Sequence, residues 1–89
     1  MDIKQAVATA KSHVATIFQE EGITAPTLEE IEFDEMTASW KVTVGFVRPG
    51  EEAQGVARLL GTPISKHYKV VRIRDETGEP VSIRNRDLS

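Results

Sequence analysis

The side chains able to do chemistry in this chain are few, and their spacing argues against most of that chemistry. Two histidines are present, His13 and His67. His13 follows Ser12, which on paper sets a nucleophile beside a base. Consecutive residues on a helix point in different directions, so the proton transfer has no geometry. Metal binding needs several ligands converging on one point, and neither histidine has a close acidic or histidine neighbour in sequence. His13 is expected half covered at the flank of a helix stripe, and His67 is expected as an exposed edge residue. Paired carboxylates occur at Glu29-Glu30 and Asp34-Glu35. Acid–base catalysis needs two carboxyls whose surroundings push their pKa values apart, whereas these pairs fall at a strand start and a turn, where water keeps them ordinary. Gly45, Gly50, Gly55 and Gly61 suggest a phosphate loop, but Glu51 and Glu52 follow Gly50 and Pro63 removes a backbone donor. A phosphate loop needs Lys-Ser/Thr after its last glycine. No catalytic residue, cofactor site or metal site is assigned, and the chain reads as a non-enzyme.

The remaining chemistry is charge. Residues 1–47 hold three basic side chains against eight acidic ones, while residues 48–89 hold eight against six. The basic members gather in Lys66, Lys69, Arg72, Arg74, Arg84 and Arg86. They are positioned by elements that the period of hydrophobicity defines. Ile3, Val7, Ala10, Val14, Ile17 and Phe18 recur at helical spacing and predict a helix over 2–21. Asp2 and Gln5 form a capping-box pair, Gly22 suits a left-handed cap, and Pro26 prevents resumption. Beyond it the period becomes two. Ile31 and Phe33 alternate with acids to Asp34, and Trp40, Val42, Val44 and Phe46 alternate with polar residues. Further strands are expected over Lys66–Arg74 and Pro80–Arg86, joined by an Asp75-Glu76-Thr77-Gly78 turn. Pro80 cannot donate to a ladder, which puts the last strand at an edge. The punctuation by Pro49-Gly50 and Gly61-Thr62-Pro63 leaves 51–60 open between a short helix and a loop.

Eighty-nine residues make one domain. The fold expected is α+β: one N-terminal helix packed on a three- to four-stranded antiparallel meander sheet. The inward set is Ile31, Phe33, Trp40, Val42, Val44, Phe46, Val71, Ile73, Val81 and Ile83. Parity places Tyr68, Val70, Arg72, Arg74, Arg84 and Arg86 on the opposite face, with Val47 beside them. With no cysteine there is no disulfide or thiol chemistry. No apolar run approaches a membrane span, and the N-terminal stretch lacks the apolar core of a secretory leader, so a cytoplasmic protein is the expectation.

The helix, the acidic-apolar strand, the Trp40-x-Val42-x-Val44 strand and the run from Tyr68 through Val70, Ile73, Asp75, Thr77, Gly78 and Glu79 to Val81 resemble small α-β-β-β modules of PepSY-like and cystatin-like type. The resemblance covers most of the chain and implies a helix laid on an antiparallel sheet. It is similar, more distantly, to small gas-vesicle accessory proteins. No catalytic residue transfers from either. Two functions compete for the open sheet face. The first is a small accessory or regulatory module that binds a protein partner and forms a homodimer through Tyr68, Val70, Arg72, Arg74 and Arg84, with Leu59 and Leu60 capping the patch. The second is a single-stranded nucleic-acid binder, a base stacking on Tyr68 while arginines hold phosphates.

Overall fold

The computed structural model describes residues 1–49 and 66–86. Asp2 accepts from the Gln5 backbone N–H and Gln5 answers with its side chain to the Asp2 N–H, both at 2.8 Å. This reciprocal cap starts helix α1, Ile3–Ile17. The helix stops earlier than its stripe suggests. From Phe18 the chain tightens into a 3-10 turn, Gln19–Glu21, and Glu20 and Glu21 sit at the negative end of the helix dipole, where acids are unfavourable. Gly22 then takes φ 64°, the left-handed cap.

Four antiparallel strands follow: β1 Thr27–Asp34, β2 Ser39–Phe46, β3 His67–Arg74 and β4 Pro80–Asn85. Each pairs with the next in sequence, so the sheet is a meander with β1 and β4 at its edges. Chain order therefore equals spatial order, as the period change at Gly22–Pro26 implies. Asp34 shapes the first hairpin by accepting the Met36 N–H. Gly78, at φ 73°, shapes the last.

One helix is about 10–12 Å wide with its side chains, and strands lie about 4.8 Å apart. It can cover little more than two strands, and α1 packs mainly on β2 and β3. Its buried seam is Ala6, Ala10 and Val14, which meets Val42, Val44, Phe46, Val71 and Ile73. Small residues let the backbone approach the sheet closely. Two expectations fail for this reason. Ile3 and Ile17 stand about half exposed, at 51% and 48%, because the helix is rotated toward its alanines. Phe33 is 41% exposed on edge strand β1, where it rests edge-on against Trp40 with ring centroids 5.0 Å apart. The rotation also leaves a shallow apolar strip of Ile3, Val7 and Leu28 between α1 and β1, flanked by Lys4 and Lys11.

Val81 is a third correction. The register between β3 and β4 shifts at Arg72/Ile73, so that Ile73 faces Pro80 and Val81 is the extra residue. A bulge re-aims its side chain. Val81 is 46% exposed and lies beside Val70 and Arg84 on the outer face. Val47 moves the other way. It is buried, tied at both backbone groups to Thr24, and forms no part of the open face.

Among the described residues no helix is long and apolar enough to cross a membrane.

Candidate functional site

The face that α1 leaves open is built by alternation across the four strands. Register places Glu30, Thr43, Val70 and Arg84 in one row, and Glu32, Lys41, Arg72 and Ser82 in the next. Read across the sheet, the charge changes sign. Strand β1 presents Glu30, Glu32 and Asp34, β2 presents Lys41, and β3 and β4 present Arg72, Arg74 and Arg84. The charge asymmetry along the chain thus becomes a gradient in space, because a meander keeps chain order.

Part of this charge is spent within the fold. The Arg72 guanidinium donates to the Thr37 hydroxyl at 2.8 Å, the Ser39 hydroxyl at 3.1 Å and Asp34 at 3.4 Å. It therefore bridges two strands and locks the first hairpin. Lys41 lies 3.8 Å from Glu32 and 3.9 Å from Asp34. The Asp34 carboxyl is held below the usual range, first by the Thr37 hydroxyl and then by the Met36 N–H and Arg72. At the far end of β1, Glu29 occupies a second bulge. It accepts from Lys66 at 2.8 Å and from the Thr27 hydroxyl at 2.9 Å. Lys66 is the largest cause holding the Glu29 carboxyl below the ordinary range, and Glu29 raises Lys66 in return. Gly45 makes room for this arrangement, since a Cβ there would stand 2.7 Å from the Glu29 Oε1.

Tyr68 is not a bare ring. The Arg86 guanidinium carbon lies 3.9 Å from its centroid, and the Arg86 Nε is buried without a hydrogen-bond partner. Such stacking on an aromatic face is the geometry arginine favours. What remains uncommitted is narrower than the sequence reading. Arg74 and Arg84 are exposed and make no ion pair among the described residues, and Val70 and Val81 lie together beside Arg84. Glu30 at the acidic edge is likewise exposed and unpaired there. Of the sequence candidates, Tyr68, Val70, Arg72, Arg74 and Arg84 share this face, while Leu59 and Leu60 lie outside the described residues, as does the segment 51–60.

Neither a known protein family, nor a curated protein, nor a solved structure matches this chain. The face must be interpreted from its own chemistry.

The histidines do not meet. His13 lies on α1 beside Thr9, Ser12, Thr16 and Pro80. His67 is half-buried on inner strand β3, its ring stacked 5.9 Å from Phe46, which corrects the exposed-edge expectation. Among the described residues no group of His, Asp or Glu converges as a metal site would. Sequence reasoning placed Arg86 on this face with Arg84 but missed Val81. The one signal for Val81 was Pro80, which hinted at irregular pairing.

Proposed function

We propose that this protein is a small non-catalytic accessory or regulatory module that binds a protein partner, and a second copy of itself, through the outer sheet face. The observation that carries this reading is the Val70–Val81 apolar pair beside Arg84, on a face where Arg74, Arg84 and, across the sheet, Glu30 make no ion pair among the described residues. Interface centres are enriched in arginine and aromatic side chains, and this face carries Arg74, Arg84 and Tyr68. Arg72 and Lys41 are neutralised within the fold, whereas Arg74, Arg84 and Glu30 have no ion-pair partner among the described residues. The resemblance to PepSY-like and cystatin-like modules belongs to this proposal only as a likeness of architecture, a helix laid on an antiparallel sheet, which in this chain has four strands.

The competing reading, single-stranded nucleic acid on the basic strands, is disfavoured by two features. Arg86 already occupies the Tyr68 ring, the single tyrosine of the chain. A polyanion lying across β3 and β4 would also approach the acidic column of β1.

The test is site-specific photocrosslinking in the native host. A photoreactive residue replacing Val70 is expected to capture protein, and one replacing Ser12 on α1 serves as the control. Capture from Ser12 alone, or salt-sensitive binding of single-stranded oligonucleotides lost in Arg74→Ala/Arg84→Ala, would overturn the reading.

A further inference from the structure

Resting on that reading of the face, we infer that its self-complementary partner is a second copy related by a two-fold axis parallel to the strands, running between β2 and β3. Charge along the row from Glu30 to Arg84 is antisymmetric, with Glu30 at the β1 edge and Arg84 at the β4 edge. A rotation about such an axis keeps each row at its own height and reverses its left–right order. The row Glu30–Thr43–Val70–Arg84 then lies on its own reversed copy. Glu30 faces Arg84 of the partner copy at both ends of the row, and Thr43 faces Val70 of the partner copy at its centre.

The alternative axis, in the face but perpendicular to the strands, would set β1 on β1 and β4 on β4. Acid would then meet acid and arginine would meet arginine, so wild-type charges oppose it. The strand-parallel axis has one unfavourable approach of its own. Lys41 comes opposite Arg72 of the partner copy, but each is already neutralised within its own chain by Asp34, and Lys41 also by Glu32. Two sheets stacked this way fall in the aligned class, with strands about 30° apart.

The size of the face sets the strength. Three strands of eight residues and one of six, about 4.8 Å apart and rising about 3.3 Å per residue, present roughly 500 Å² per copy. The pair therefore buries about 1,000 Å², within the range of weak, transient association below about 1,200 Å². The dimer expected is concentration-dependent and weakened by salt, since its specific pairs are rim charges.

Charge reversal tests the axis because each reversal acts twice in a two-fold dimer. Sedimentation equilibrium at low and high salt would be run on wild type, Glu30→Lys, Arg84→Glu and the double variant Glu30→Lys/Arg84→Glu. Both single variants are expected to weaken self-association about tenfold, and the double variant to recover to within about threefold of wild type. Mixing the two single variants should also recover a heterodimer. A further variant, Val70→Asp, reports on the face independently of the charges, and circular dichroism checks that every variant keeps the fold. If Val70→Asp abolishes the dimer but the double variant does not recover, the face reading survives and this symmetry is wrong. If wild type remains monomeric at millimolar concentration and low salt, the inference is wrong, and the photocrosslinking from Val70 decides the face reading separately.

Discussion

Replacing Ala10 by Leu tests how α1 sits on the sheet. Ala10 has no exposed surface and lies in the seam with Ala6 and Val14 against the central strands. Leucine adds three carbons where the backbone approaches β2 and β3 closely, and overpacking of this kind costs about 1–3 kcal/mol. Ile17 offers the contrast. It is 48% exposed, and full burial of such a side chain is worth about 1.5–3 kcal/mol. Ile17→Ala therefore forfeits only about half of that, partly offset by the better helix propensity of alanine, for a net cost near or below about 1 kcal/mol. At mid-range the two variants should differ by about 1 kcal/mol, or roughly 4–8 °C in midpoint for a domain of this size. Thermal and urea unfolding followed by far-ultraviolet circular dichroism would measure it. Should Ala10→Leu be tolerated within a few tenths of a kcal/mol while Ile17→Ala costs about 2 kcal/mol or more, the helix would be rotated onto its Ile3–Ile17 stripe and the packing described above would be wrong.

Three further outcomes follow from the same geometry. Glu29 and Asp34 have pKa values lowered on folding, so their contribution is present above the ordinary carboxylate values of about 4 and is lost as pH falls through the lowered ones; Glu29→Gln should lower the neutral-pH urea midpoint and flatten the acid limb, and an unchanged limb would contradict the Lys66 pairing. Ala38 sits at φ 49° in the first hairpin, so Ala38→Gly should raise stability by up to about 1 kcal/mol and Ala38→Val should lower it, whereas a fall on glycine substitution would refute the strain. The Trp40 indole N–H donates to Asp75 at 2.9 Å; Asp75→Ala should cost about 1 kcal/mol with a red shift of tryptophan emission, Asp75→Asn should cost less because it keeps an acceptor, and equal losses would show that the charge rather than the hydrogen bond matters.

Much of the architecture was legible because it depends on local period. The alternation from Trp40 to Phe46 names one face of β2 without ambiguity, and the Asp75–Gly78 turn sets the β3–β4 hairpin. The Asp2–Gln5 pair starts the helix at the expected residue. Helix rotation was not legible, because a pattern that weights large apolar residues selects Val7 over Ala6, while close packing on a sheet selects the smaller side chain. Bulges were not legible either. Parity assumes an unbroken ladder, so it turned Val81 inward, and the bulge turns it out. The arginine column survived this, since Arg84 lies beyond the shift and pairs with Val70 as alternation requires. The employment of Arg72 needed the order β1-β2-β3, because its hydrogen bonds reach across β2 to the β1–β2 hairpin, far away in sequence.

A dilution series of amide NMR spectra tests whether the outer sheet face is where this protein associates. Between millimolar and low-micromolar protein at low salt, shift changes are expected at Glu30, Thr43, Val70, Val81 and Arg84, with the amides of Ala6, Ala10 and Val14 unmoved. The changes should vanish in Val70→Asp. Spectra that do not depend on concentration, or changes confined to α1 and the Ile3–Val7–Leu28 strip, would contradict it.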